Sequence, residues 1–502
     1  MNMNNIADCV AHWARQAPQH EAIVAGERRI SYGEFESQVA QLAGAFEAAG
    51  LQHGDRVAVQ SLPTPEYLIL YMAAVRLGAV LVGINAQYTA DEIAYLLKLS
   101  RPKIILAQAP FVERLEQALA KVAVATRIVI ASQAPGWTAW DAFAAQGKAV
   151  TGARTAADDA ALIVFTSGTT GKPKGAVLSH RGVLSNIGVE VRQFGLTQAD
   201  RMVLHLPMNH VGGATEISIG AIMAGATLLV LDRFHPAATL ELVAREKASF
   251  LGQVPAMFIM ELNLPNFTDY DLRSLTRLVV AGAATPAEVM KRLTQIAPVI
   301  TGYGMTEVGG FVTYTEPLDD AETVACTVGR IAPEFSLKVV DTQGQVLPVG
   351  EIGDVWIKGD CLMRGYFGDE AASRDAVSPD GWYRSGDMGR LDARGYLTLV
   401  GRRKEMYISG GYNVYPVEIE DALARHADVM FSAVIGVPDA VLGEVGKALV
   451  VPRPGRTLDA DALQAFMRGI LAEYKVPRVI EIVAQLPMTP MGKVDKKQLP
   501  AS

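Results

Sequence analysis

Cysteine is scarce: Cys9, Cys326 and Cys361 are the only three in 502 residues, far apart and in no Cys-x-x-Cys pattern. That spacing excludes a disulfide framework and a Cys-rich zinc site, and it suits a reducing cytoplasm. Long apolar runs are missing too. The longest uncharged one, 217–231, is interrupted by Gly225 and falls under the roughly 18 residues a membrane helix needs. Residues 1–12 contain no basic segment followed by an apolar one, so no secretory signal is expected. Nor is positive charge in excess. The 46 Lys and Arg against 53 Asp and Glu give a net charge of -7, which offers no overall basic surface to nucleic acid. Internal repeats, coiled-coil heptads and low-complexity tracts are absent as well. What remains is a cytoplasmic chain without a membrane span, 50% hydrophobic and long enough for two to four domains.

The most informative stretch is 166–175, Thr-Ser-Gly-Thr-Thr-Gly-Lys-Pro-Lys-Gly, directly after the apolar run 160–165. Hydroxyls, two lysines and three glycines in ten positions make an anion-holding loop. Glycine lets backbone N–H groups approach, hydroxyls add rotatable donors, and ammonium adds charge beside phosphate oxygens. A Walker loop is excluded by spacing, since only two residues lie between Gly168 and Gly171 and Pro173 follows Lys172. Residues 176–179 read as a second strand, which places the loop in a hairpin and not at a helix N-terminus.

Around it the pattern alternates. Capping boxes at Ser31/Glu34 and Thr89/Glu92 open helices, and apolar strands 56–60, 79–83 and 103–107 are separated by helical stretches 65–77 and 90–99. This predicts parallel α/β layering. After the loop a helix from about 182, strand 202–206, helix 214–223 and strands 227–231 and 278–281 imply a second α/β sheet. Short β-type runs such as 335–340 and 353–358 mark a small β-rich subdomain over 327–400. Runs 430–437 and 447–451, with helical stretches 416–425 and 459–473, predict a final α+β domain.

Downstream stand Tyr303-Gly-Met-Thr-Glu307, Tyr383-Arg-Ser-Gly-Asp387, Gly401-Arg-Arg-Lys404, Gly410-Gly-Tyr-Asn-Val-Tyr-Pro416 and Gly492-Lys493. With the loop, these motifs resemble, in order and spacing, the adenylate-forming superfamily of acyl-CoA synthetases, peptide-synthetase adenylation domains and beetle luciferases. The resemblance implies an N-terminal domain over 1–401 that binds ATP and the acid, a hinge at 402–404 and a mobile domain over 405–502. It implies phosphate contacts from Thr166, Ser167, Gly168, Thr169, Thr170, Gly171, Lys174 and Thr306. Gly282, Ala283 and Ala284 would lie along the base and Tyr303 would pack on adenine, with Gly302, Gly304 and Met305 beside it. Asp387 suits the ribose diol because an ionised carboxylate offers two acceptor oxygens, and Arg402 is a second ribose or phosphate contact. Glu307, a hard oxygen donor beside polyphosphate, would hold Mg²⁺ together with Thr170. Lys493 matches the C-terminal lysine that reaches the substrate carboxylate and α-phosphate; with Thr166, Lys174, Glu307 and His210 it completes the catalytic set. Lys404, Gly410, Gly411 and Tyr412 would serve thioester formation with CoA.

The acyl site implied by resemblance comprises His210, Gly212, Gly282, Gly304, Met305, Val308 and Gly309. Amino-acid-activating relatives carry an aspartate near His210 to pair the substrate ammonium; Asn209 and Val211 offer no charge, which disfavours an amino-acid substrate. Acetate-specific relatives carry tryptophan where Gly304 stands, so an open floor and an acid larger than acetate, aromatic or medium-chain aliphatic, are expected. The resulting expectation is an acyl-CoA synthetase using ATP, Mg²⁺ and CoA, with a carrier-protein thiol as the alternative acceptor. A carboxylic acid, ATP and CoA are its partners, without nucleic acid, and a homodimer is left open.

Overall fold

The computed structural model describes residues 3–166, 173–283, 285–489 and 494–500. Among them, the strands Arg56–Gln60, Val80–Gly83 and Ile104–Gln108 pair in parallel as the alternating pattern predicts, with Arg56–Gln60 between the other two. Thr126–Ile130 and Thr138–Ala139 extend one side of this sheet. On the other side Ala160–Thr166 pairs with Val80–Gly83, and the antiparallel Lys174–Ser179 closes the edge. The second sheet is centred on parallel strands Thr227–Val230, Arg201–Leu204, Phe250–Gln253, Arg277–Val280 and Val299–Met305, and Gly310–Tyr314 turns back antiparallel on the last of them.

Between these sheets lies Pro65–Arg76, started by the Thr64 side chain and a proline in its first turn. It is apolar on every face but one, and all of its residues but Glu66 are buried, as a helix sandwiched between layers must be. Arg76 is buried with it, and its guanidinium is paired with Glu36 at 2.6 Å and donates to the Val150 carbonyl. The Ser31/Glu34 capping box is formed as read, with both reciprocal bonds present at the head of Tyr32–Ala48.

Ser336–Val340, Gly353–Lys358, Tyr383–Leu391 and Leu397–Arg402 form the β-rich subdomain as one antiparallel sheet. A turn at 403–406 leads to the last sheet, in which the long hairpin Val429–Asp439 and Gly443–Pro452 carries Tyr407–Ser409, Tyr412–Val414 and Val479–Ile482. Two readings shift. The helix expected over 459–473 is Ala460–Arg468, ending where Gly469, a poor helix former, follows it. The helix expected over 214–223 begins earlier as a π-helix, Gly212–Ile217, before continuing as Ser218–Ala224. The Thr215 and Ser218 hydroxyls there donate to the carbonyls of Val211 and Gly213, which loosens the backbone ladder. Among the described residues, no helix is long and apolar enough to cross a membrane.

Candidate active site

The hairpin that carries the anion-holding loop is present: Thr166 stands opposite Lys174 in an antiparallel pair. Ser167, Gly168, Thr169, Thr170 and Gly171 lie outside the described residues, as do Ala284 and Lys493. Beside the hairpin runs the segment 363–367, whose Arg364 and Phe367 amides donate to Val177 and Gly175 at 2.8 and 2.7 Å. It positions Tyr366, a residue that the motifs do not reveal. Lys174 Nζ sits 5.2 Å above the Tyr366 ring, within cation–π range, and the Tyr366 hydroxyl donates to Glu307 Oε1 at 2.8 Å. The Met363 amide also donates to the Glu307 carbonyl at 2.7 Å. Burial pushes the Glu307 carboxyl above its ordinary range, opposed by the Tyr366 hydrogen bond.

Glu307 follows the strand Val299–Met305 in a short 3-10 turn, Thr306–Val308, which ends at Gly309 with φ of 77°. Upstream on that strand, Tyr303 is only 6% exposed. Its hydroxyl donates to Asp387 Oδ2 at 2.6 Å, and Arg402, at the cross-strand position, is ion-paired with Asp387, its Nε 3.0 Å from Oδ1. Each carboxylate oxygen keeps a further lone pair for a ligand hydroxyl. Burial, then the Asp387 charge, holds the Tyr303 phenol well above its usual range, so it remains a donor. Ser385 accepts from the Asp387 amide at 3.0 Å and donates to the Val355 carbonyl. Gly282 and Ala283 are exposed beyond the end of strand Arg277–Val280, Gly282 with φ of 91°.

The expected acyl residues converge through backbone contacts. The Thr215 hydroxyl of the π-helix donates to the Gly309 carbonyl at 2.9 Å, and Asn186 Nδ2 reaches the carbonyls of Val308 and Phe311 at 3.1 and 2.8 Å. His210 Nδ1 accepts from the Gly212 amide at 3.2 Å. Val308 is fully buried, and Met305 is partly so. One inference from sequence needs correcting. A Cβ at Gly304 would overlap the Gly310 carbonyl and press on Phe311 Cα, so glycine is required there by close strand pairing at a register shift. It does not indicate an open pocket floor.

Beyond Arg402, Arg403 pairs with Asp354 at 2.9 Å, and Lys404 lies exposed in the connecting turn. Gly410 and Gly411, at φ of 56° and 88°, form the two-residue turn between Tyr407–Ser409 and Tyr412–Val414, the conformation a tight hairpin requires. Tyr412 stacks on Tyr474 with centroids 4.6 Å apart. Met488 bridges to Val494 and the Asp495 amide donates to the Pro487 carbonyl, so the stem on either side of Lys493 is paired.

This fold is that of the adenylate-forming enzymes. The structure superposes on an anthranilate CoA ligase, AuaEII, in complex with anthranoyl-AMP with a TM-score of 0.92 at 26% identity, covering 98% of this chain and 95% of that one. The AMP-binding enzyme model matches residues 10–367 and the AMP-binding enzyme C-terminal domain model matches 418–493; the chain belongs to the AMP-binding enzyme family. Among curated relatives, a 3-[(3aS,4S,7aS)-7a-methyl-1,5-dioxo-octahydro-1H-inden-4-yl]propanoyl:CoA ligase of Mycobacterium tuberculosis is 37% identical over 97% of this chain and 96% of its own length. An indoleacetate–CoA ligase of Aromatoleum aromaticum is 34% identical over 98% of this chain and 96% of its own.

Proposed function

We propose that this chain is an ATP-dependent acyl-CoA synthetase for a carboxylic acid larger than acetate, aromatic or medium-chain aliphatic. One observation carries the reading: a single short segment, 303–307, ties two contact networks together. Through Tyr303 it joins Asp387 and Arg402, and through Glu307 it joins Tyr366 and Lys174. A nucleotide whose ribose engages Asp387 and whose phosphates lie against the 166–174 hairpin would span that segment. The relatives named for bulky cyclic acids support the substrate class.

In the first step an oxygen of the acid attacks the α-phosphorus of ATP and the bond to the pyrophosphate oxygen breaks. In the second, the CoA thiol gives up its proton and attacks the acyl carbonyl, and AMP leaves with the former carboxylate oxygen. Neither step needs a nucleophilic side chain, so the protein's part is orientation and charge stabilisation. Thr166, Lys174, Thr306 and Lys493 would face phosphate, with Ser167, Thr169 and Thr170 on the loop, and His210 would border the acyl group. Glu307 fits a Mg²⁺ ligand, as a partly buried carboxyl with one oxygen held by Tyr366; the ion would neutralise charge on the departing pyrophosphate. Lys404, Gly410, Gly411 and Tyr412 would act in the CoA step, with the mobile unit beginning after a hinge at 402–404.

A panel of carboxylic acids tested for pyrophosphate and AMP release, with and without CoA, checks the reading. Acid-dependent pyrophosphate release without CoA, and sustained AMP release only with it, are expected. Formation of ADP, or AMP release independent of any acid, would remove it.

A further inference from the structure

The segment 308–311, directly after Glu307, has its main-chain polar groups held by side chains from two other elements. Helix His180–Gln193 supplies Asn186 and Glu190, one turn apart. Asn186 Nδ2 donates to the carbonyls of Val308 and Phe311 at 3.1 and 2.8 Å, and Glu190 Oε1 accepts from the Phe311 amide at 2.9 Å. The π-helix supplies Thr215, whose hydroxyl reaches the Gly309 carbonyl at 2.9 Å. All three residues are buried. Their approach is close enough to require glycine, since a Cβ on Gly310 would overlap Glu190 Oε1 and Asn186 Oδ1.

Two consecutive glycines, Gly309 and Gly310, give this turn little stiffness of its own, so its shape is set by what grips it. From the other side Glu307 is held at its carbonyl by the Met363 amide, at 2.7 Å, and at Oε1 by the Tyr366 hydroxyl, at 2.8 Å. The two sets of contacts meet within one residue, because the Val308 carbonyl that Asn186 holds is the next along the chain from Glu307. Polar groups behind a metal ligand orient it, and losing one typically lowers metal affinity about 10–100-fold. We infer that Asn186 and Thr215 are positioning residues for Glu307, gripping the turn from behind so that the carboxylate stands where it can meet a nucleotide-bound Mg²⁺; this rests on the acyl-CoA synthetase reading and on Glu307 as the metal ligand. Both act through the main chain, so their loss is felt where metal-bound nucleotide is handled and not where AMP is.

The test uses the full-length enzyme. ATP binding is measured by calorimetry without acid, in Mg²⁺, in Mn²⁺ and in EDTA, for wild type, Asn186→Ala, Thr215→Val and Glu307→Gln, with AMP binding alongside. Asn186→Ala is expected to weaken metal-bound ATP about tenfold or more and to change metal-free ATP and AMP by less than about twofold. Thr215→Val, which removes one hold, should act in the same direction and less strongly. The Mg²⁺ concentration for half-maximal pyrophosphate release should rise in parallel, while acyl-CoA formation from pre-made acyl-AMP keeps its rate. Adding Asn186→Ala to Glu307→Gln should cost less than about twofold beyond Glu307→Gln alone, since both act through one carboxylate. Equal weakening of ATP with and without metal, metal dependence unchanged in both single variants, or losses that multiply in the double variant overturns the inference while the ligase reading stands. A Glu307→Gln enzyme with wild-type metal dependence overturns it as well. If Asn186→Ala does not fold, as melting temperature shows, Thr215→Val decides by the same comparison. Absence of AMP with every acid in the wild type removes the ligase reading itself, and this inference with it.

Discussion

At the scale of single residues, the proposed nucleotide end of the site is organised by Asp387, whose Oδ2 receives the Tyr303 hydroxyl and whose Oδ1 is ion-paired with Arg402. The arrangement fixes the carboxylate plane and leaves lone pairs for a ribose diol. Tyr303 touches the carboxylate and not the sugar in this account, so it is a positioning residue for ribose binding. Tyr303→Phe should raise the KM for ATP about tenfold, since a hydrogen bond to a charged group contributes roughly 1.5–3 kcal/mol, with a smaller effect on kcat. Asp387→Asn should weaken ATP more, because it removes the charge that both neighbours support. Steady-state kinetics with calorimetric AMP binding would check this. If Tyr303→Phe lowers kcat alone and leaves ATP affinity untouched, the hydroxyl does not orient the ribose contact.

At the scale of elements, Gly304 shows how a glycine can be misread. Sequence comparison takes its small size as space for substrate; the sheet shows it as space for the next strand, whose Gly310 carbonyl stands where a Cβ would be. Gly304→Ala should therefore destabilise the protein by about 1–3 kcal/mol through overpacking and lower activity on all acids alike. Denaturant melts beside the acid panel would show this; a shift toward small acids at unchanged stability would restore the pocket-floor reading. Local signals were legible in advance: the hairpin around 166–174, the Ser31 capping box and the parallel strands each follow from residue type at fixed spacing. Tyr366 was not, because its contact with Glu307 joins residues 59 apart through a loop that carries no pattern. The π-helix was hidden for another reason, since its hydroxyl-to-carbonyl bonds leave helical periodicity almost unaltered. Asn186 and Glu190 did leave a trace. Two polar residues four apart on a buried helix face conflict with an apolar core, and such conflicts concentrate at functional sites.

At the scale of the whole molecule, the two half-reactions ask more of the C-terminal unit than one placement provides. Lys493 and the Gly410–Gly411 turn are both assigned to one cleft, yet Tyr412 is 59% exposed and a Cβ on Gly411 would meet nothing within 4 Å. In the arrangement described, the Gly-Gly turn faces solvent. Bringing it to the acyl-adenylate requires rotation, and the place for it is the 403–406 turn between the third and last sheets, where we place the hinge at Lys404. The Arg402 carbonyl there accepts from the amides of Glu405 and Met406 at 3.0 and 3.1 Å and not from Lys404, and Lys404 is not among the residues with positive φ. Partial desolvation by its neighbours, then the Arg402 charge, pushes the Lys404 ammonium below its ordinary range. A proline in such a first turn is accommodated, because it removes an amide that the turn does not use and fixes φ near about −65°. Lys404→Pro should therefore hold the present arrangement, retaining acid- and ATP-dependent adenylate formation while thioester formation falls by orders of magnitude. Proline also disfavours helical geometry at the preceding Arg403, so melting temperature is followed as the control for unfolding. Single-turnover mixing times the two steps separately, with pyrophosphate release for the first and acyl-CoA from pre-made acyl-AMP for the second. Equal slowing of both, or of neither, would remove Lys404 as the pivot.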